Sequence, residues 1–387
     1  MTSPVARSAI IVGAGIGGLA CAIALRREGI DVRVLEQAEA LEEVGAGLQL
    51  TPNATRVLRD LDLLPALEAV AIAPDALEVR DGRSDAVIAH CPYDAATARF
   101  GAPFLVVHRA DLHRVLSEAA YAAGAEILLG ARLEGVEAGE NEASALANRA
   151  GEAVPLEADI LVGADGIRSA VRPQIGLAAS PVFAERVAYR STIPVEQGRA
   201  PNVVQLYLGA EAHLVTYPVR SGRAINVVAV VKETRPVTRW SEEGDASTVH
   251  AAFSEWAEPV RRLLAAAPGF QCWGLYDLDP LPRWGSGRVT LLGDAAHAML
   301  PFLAQGAAQA IEDAAALAIE LRRATSVTQA LRAYEAARQP RTARIQRDAR
   351  TNGTVYHLSG PAKFARDAVL RLTGDRLVDH YGWIYGA

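Results

Sequence analysis

The 387-residue chain reads as an α/β protein: a doubly wound sheet, an antiparallel sheet interleaved with it, and helices at the C-terminal end. Three observations predict this. At Ser8–Glu36 a short apolar run enters Gly13-Ala14-Gly15-Ile16-Gly17-Gly18, a helical pattern follows to Gly29, and a second apolar run ends on Glu36. Buried runs at 158–165 and 288–294 end on Asp165-Gly166 and Gly293-Asp294, each ahead of a helix. Between them, Val187–Val231 carries short alternating runs split by turns, the texture of an antiparallel sheet.

The first stretch is a Rossmann-like strand, turn, helix and strand, and each residue type has a physical job. Gly13 permits the tight turn, Gly15 lets a pyrophosphate approach the backbone, and Gly18 lets the helix pack closely on the strand. The unpaired N–H groups and positive dipole end of the helix face the phosphates. Glu36 closes the second strand, where a carboxylate can accept both hydrogen bonds from an adenosine ribose. A secretory signal is the competing reading of Ala9–Leu25. Its glycines and its continuation into Arg26-Arg27-Glu28 assign it to the mature fold instead.

Half the residues are hydrophobic and 22% are charged, a globular balance with room for two or three domains. No apolar run reaches the length of a membrane span. The formal net charge of -6 argues against nucleic-acid binding. Cys21, Cys91 and Cys272 are scattered, odd in number and without ligand spacing, so no metal site is expected and the cytoplasm is the default compartment.

Along the chain, Val44–Asn53 is a Gly-rich loop running into a strand, followed by the helix Ala54–Leu61. Gly45 and Gly47 suit the close approach of a ring or phosphate, or a simple turn. Leu77–Val106 reads as strands and a loop. His108-Arg109 opens a helix to about Ala123, and Arg109 stands where a guanidinium can pair with a phosphate, or be a solvated charge. A polar hairpin-like region covers Gly135–Glu152. Asp165, at the carboxyl end of a strand, points into a ligand crevice or caps the short helix Ser169–Pro173.

Val203–Leu208, Ala212–Val219 and Ile225–Val231 form the antiparallel texture. A period of two puts His213, Val215 and Tyr217 on one face, with His213 and Tyr217 roughly 13 Å apart at about 3.3 Å per residue. Taken alone, a strand histidine is more often structural than catalytic. Thr248–Ala267 looks helical and Cys272–Asp277 strand-like. Beyond Gly293-Asp294, a loop with Pro301 enters a helix opening near Gly306 and running to about Arg323. That arrangement offers a carboxylate to a sugar hydroxyl and free N–H groups to an electron-rich ring edge. Another helix, Thr328 to about Arg350, should kink at Pro340, and the aromatic Asp379–Ala387 packs on the body. The domains expected are 1–75, 101–180 and 285–325 for the nucleotide, 76–100 and 181–284 for the substrate, and 326–387 as a C-terminal helical segment.

Together the three stretches resemble the FAD-dependent single-component aromatic hydroxylases, flavoprotein monooxygenases that include salicylate, hydroxybenzoate and 6-hydroxynicotinate hydroxylases. Gly-Asp-Ala-Ala-His at 293–297, with the downstream proline and Gly-rich turn, is the most specific match. The resemblance implies that Gly13, Gly15, Gly18 and Glu36 hold the ADP half of FAD, with Gly47 and Arg109 also on the cofactor. It assigns Asp165 to FAD and NAD(P)H use, Asp294 to the ribityl or pyrophosphate region, and the backbone at Gly306 and Ala307 to the flavin pyrimidine edge. Pro301 resembles the family's active-site proline, and His213 and Tyr217 the pair beside the substrate hydroxyl, with His213 as base.

The chemistry the resemblance implies is reduction of the flavin by NADH or NADPH, addition of O2 to give a flavin hydroperoxide, and attack of its distal oxygen on an activated ring. A base helps, because a phenolate is attacked more easily than a phenol. The implied substrate is a small phenolic or hydroxylated heteroaromatic carboxylate. Leu300–Gly306 looks closer to the salicylate and hydroxynicotinate branch. Arg190 and Arg220 are the arginines considered for the carboxylate. Monomer and homodimer stay open, as do epoxidation, ring-opening oxygenation, and a reductase or regulatory flavoprotein without oxygen insertion.

Overall fold

The computed structural model describes residues 4–41, 47–195, 198–234 and 242–386. Gly45, expected to admit a ring or phosphate, lies outside them. Six strands form one sheet in the order Gly285–Ser286, Val289–Leu291, Ile160–Gly163, Ser8–Val12, Asp31–Glu36, Glu126–Leu129. Every neighbouring pair is parallel except Gly285–Ser286 with Val289–Leu291. Ser8–Val12 runs near the centre of this sheet with Ile10 and Ile11 fully buried, as a strand covered on both faces must be. Helix Ile16–Arg27 packs against helix Gly306–Arg323.

The order of this sheet builds the site. Val289–Leu291, Ile160–Gly163 and Ser8–Val12 are adjacent and parallel, so their carboxyl ends deliver Gly293-Asp294, Ala164-Asp165 and Gly13 to one edge. Gly13 has φ +102, and a Cβ there would lie 2.6 Å from the Ala164 carbonyl oxygen. Only glycine permits both that backbone and that crossing.

Eight strands form the second sheet, in the order Glu242–Gly244, Phe270–Asp277, Val182–Pro194, Ala224–Lys232, Ala212–Val219, Val203–Leu208, Ala76–Asp81, Val87–Pro92. All pairs are antiparallel except Val203–Leu208 beside Ala76–Asp81. One face buries Leu214, Val227 and Ala229 against Val249, Phe253 and Leu264. The helical stretch expected over Thr248–Ala267 is two helices, Ala246–Ala252 and Glu258–Ala265, with Pro259 in the first turn of the second. On the opposite face, His213 pairs across with Leu208 and Val230, and Val215 with Leu206 and Val228.

Three differences from the sequence reading have local causes. Residues 131–158 form three strands, where a hairpin was expected. Leu77–Val106 contains a helix, Asp94–Phe100, that buries only Ala96 and Phe100 before ending at Gly101, too short to display a helical period. The helix expected from Thr328 spans Val327–Tyr356 through Pro340 without a break, and a further helix, Gly360–Thr373, follows it. Its neighbours are tied down there: Arg338 is bonded to the preceding helix, and Gln339 donates to the Leu281 carbonyl at 2.5 Å. The C-terminal aromatics do pack on the body, Tyr385 meeting the ring edges of Phe100 and Phe104 at 5.7 and 5.3 Å. Among the described residues no helix is long and apolar enough to cross a membrane.

Candidate active site

The Gly13–Gly18 turn is fixed by close contact. A Cβ at Gly18 would lie 1.9 Å from the Gly13 carbonyl oxygen, whereas Gly15 has open space around it. Gly15 caps helix Ile16–Arg27 with no side-chain bond, which leaves first-turn N–H groups for an anion. Glu36 accepts from the Ala14 and Ala38 amides, one to each oxygen at 2.8 Å. Its carboxylate therefore shapes the turn and still keeps lone pairs for a ribose. His113, which the sequence reading passed over, braces the same turn through the Ala14 carbonyl at 2.8 Å.

Asp165 takes up the capping role. Its Oδ2 accepts from the Ala170 and Val171 amides at 2.6 and 3.1 Å, as a cap would. Its Oδ1 is buried with no partner among the described residues. Burial raises its carboxyl above the usual range, so a hydroxyl donor would stabilise the ionised form. Asp294 opens onto a cavity of about 400 Å³ together with Arg109, Arg168, Arg190, Trp273 and Pro301. The protein around Asp294 desolvates its carboxyl and raises it.

The flavin-edge candidates, Gly306 and Ala307, open helix Gly306–Arg323, which has no side-chain cap. A buried polar cluster holds that opening in place. Gln305 donates to Thr51 Oγ1 at 2.9 Å, Gln309 donates to Gln305 Oε1 at 2.9 Å, and Asn53 donates to Gln305 Oε1 at 3.1 Å and to Glu312. Ala304, between Pro301 and this helix, has φ +53, strained for a residue with a Cβ.

Behind the motif, His297 is buried and lines neither the Asp294 cavity nor the one lined by His213. Its Nε2 meets Asp313 Oδ2 at 2.6 Å, Gly293 donates to the same oxygen at 3.0 Å, and Arg338 donates to Oδ1 at 2.7 Å. Burial alone would raise the Asp313 carboxyl, but His297 and Arg338 overcome it and hold it at about 2. Because that lies below the unfolded value, the stabilisation is complete above about pH 4 and is lost as pH falls toward 2. A melting temperature that drops across this window is expected, and Asp313→Asn should flatten that part of the profile.

A second, largely apolar cavity has a volume of about 190 Å³. His213 and Val215 line it with Leu206, Phe302 and Tyr356, and Pro301 borders both cavities. His213 is only 2% exposed and meets the rings of Phe302 and Tyr356 edge-on at 5.3 and 5.4 Å. Burial, then the neighbouring His357 and Arg186, lower its pKa well below the usual histidine value. Tyr217 lines neither cavity. It is buried beside Asn226 and Gly47, where a Cβ on Gly47 would lie 2.5 Å from its ring. The group that approaches Gly47 closely is thus Tyr217, and the Gly47 amide donates to Asn226 Oδ1 at 2.6 Å.

A family model described as the FAD binding domain matches residues 7–349. The chain belongs to this FAD-binding family. It is 39% identical to the 3-amino-4-hydroxybenzoate 2-monooxygenase of Streptomyces cremeus, over 97% of this chain and 94% of that one. It is 36% identical to 3-hydroxybenzoate 6-hydroxylase 1 of Aquipseudomonas alcaligenes, over 97% of each. Its fold matches Klebsiella pneumoniae HpxO, a structure complexed with FAD and uric acid, with a TM-score of 0.85 at 27% identity, over 96% of this chain and 95% of that one. The enzyme is an FAD-dependent aromatic monooxygenase. The open cradle at Gly15, the unpartnered Asp165 oxygen and the uncapped helix at Gly306 fit FAD.

Proposed function

We propose that the enzyme hydroxylates a small hydroxybenzoate-type carboxylate in the apolar cavity beside Pro301, with His213 taking the proton of the ring hydroxyl. The carrying observation is the placement of His213 in an apolar cavity that shares Pro301 with the cavity of Asp294 and Arg109. Support comes from the relatives, which act on 3-amino-4-hydroxybenzoate and 3-hydroxybenzoate. Bound FAD supplies the hydride acceptor and the oxygen transferred from O2.

In this reading Gly13, Gly15, Gly18 and Glu36 hold the ADP half of the cofactor, and Arg109, Asp165 and Asp294 its middle. The Gly306 and Ala307 amides receive electron density at the ring edge. The 1–75, 101–180 and 285–325 segments act as the cofactor domain, 76–100 and 181–284 as the substrate domain. Of the two arginines considered for the carboxylate, Arg220 is exposed on a turn. Arg190 lines the cavity of Asp294 and Arg109 instead of the apolar one, over the Trp273 ring at 5.3 Å, so neither arginine is assigned to the carboxylate. We place the enzyme in the cytoplasm as a monomer or homodimer.

The test is NADH and NADPH oxidation by the FAD-loaded enzyme, with peroxide monitored, against 3-amino-4-hydroxybenzoate, 3- and 4-hydroxybenzoate, salicylate and 6-hydroxynicotinate. At least one compound should stimulate oxidation without matching peroxide and yield a product carrying one oxygen from O2. A basal rate unchanged by the whole panel would sink the hydroxybenzoate reading.

A further inference from the structure

His357 has no place in the sequence reading, yet it touches the proposed base. It follows helix Val327–Tyr356 as the capping residue, and its own amide turns back to the Thr354 carbonyl at 3.2 Å. The Gly353 carbonyl, which that amide would otherwise serve, instead meets His357 Nδ1 at 2.6 Å. His357 Nε2 lies 3.0 Å from His213 Nδ1.

These two distances, with both rings neutral, point to where the protons are. A carbonyl oxygen only accepts, so His357 Nδ1 carries a hydrogen and donates it. Burial and the Arg186 charge lower His357 to about 4, which keeps the ring neutral at pH 7 and leaves its Nε2 as a bare lone pair. That lone pair needs a donor, and the donor in reach is His213 Nδ1–H. His213 is also neutral at pH 7. Its Nε2 is therefore a lone pair as well, on a ring that lines the apolar cavity.

We propose that His357 is a positioning residue that locks His213 in the Nδ1–H tautomer, so that His213 offers the cavity an acceptor for a phenolic hydroxyl. The proposal rests on the reading of His213 as the base. When the ligand hydroxyl ionises, its proton moves to His213 Nε2 and the electron pair stays on the ligand oxygen. The resulting imidazolium is held through its Nδ1–H by the His357 lone pair. A neutral imidazole free in water prefers the opposite tautomer, so without His357 the acceptor edge would become a donor edge in much of the population. The other titratable or charged groups that face the pair are Arg186, Glu211, Arg366 and Tyr356.

Nitrogen-15 spectra of imidazole-labelled, FAD-loaded enzyme at pH 7.5 read the tautomers directly, with His213→Ala and His357→Leu assigning the signals. Both rings should be Nδ1–H in the parent enzyme. In His357→Leu, His213 should shift toward Nε2–H, with product per flavin reduced falling about tenfold and FAD content unchanged. His357→Gln, whose amide oxygen also accepts, should keep the Nδ1–H signal and most of the yield. His213 found as Nε2–H in the parent, or Leu and Gln variants with equal yields, would overturn the proposal. Spectra as expected with His213→Ala fully active would instead defeat the base assignment and leave the tautomer lock standing.

Discussion

His213→Ala is expected to lower product formation by about 10²-fold or more, the range a positioned general base contributes, while FAD stays bound. His213 is on the wall of the proposed substrate cavity, where its contacts are Phe302, Tyr356 and His357. Its low pKa keeps it neutral and ready to accept across the physiological range. The same depression makes it a weak proton holder, so it assists mainly as the hydroxyl is already polarised. Product yield per NAD(P)H, the peroxide released and the FAD-to-protein ratio are the measurements. Loss of FAD in step with activity would show a structural defect, and His213→Asn, which leaves less of a void, then separates the two. Unchanged product yield in a folded, FAD-bound variant would end the base assignment.

The second large effect divides two glycines of one motif. Gly18→Ala drives a Cβ to 1.9 Å from the Gly13 carbonyl, a clash of backbone against backbone that no rotamer relieves. A cost of more than about 3 kcal/mol is expected, at the upper end for overpacking, and with it little soluble, FAD-bound enzyme. Gly15→Ala meets nothing within 4 Å and should fold. It puts a methyl group where the phosphates approach, so FAD affinity should fall about tenfold, ~1.4 kcal/mol, with little change in the melting temperature of the FAD-free protein. Thermal unfolding with and without FAD, and a flavin titration, distinguish the two. Equal behaviour of both variants would contradict the division of labour argued here.

The parts proposed to hold the cofactor were legible in the sequence because each is contiguous. Ser8–Glu36, the Asp165 turn and Gly293–Ala307 each carry strand, turn and helix in a single stretch, and the residue types follow from backbone geometry. The alternation along Ala212–Val219 likewise predicted a shared face for His213, Val215 and Tyr217. What that alternation could not supply is depth. His213 and Val215 reach a cavity, whereas Tyr217 meets Gly47, on a strand far away in the chain.

The groups the sequence missed all act across long separations. His357 is 144 residues from His213, and Arg338 is 25 from Asp313 on the next helix. Neither pair belongs to a motif: Arg338 lies inside helix Val327–Tyr356 and His357 caps its end.

By itself, then, the sequence determined the parallel sheet, the glycine turn, the acids at the strand ends and the chemistry of a flavin site, because those depend on neighbours within one or two elements. Only the tertiary structure decided which polar side chains face each other: Arg190 in the larger cavity over Trp273, the Asp313 network behind Gly293, and a histidine at a helix end that sets the proton on a histidine in a strand. Strand order and helix docking create those meetings, and neither is encoded in the spacing of residues along the chain.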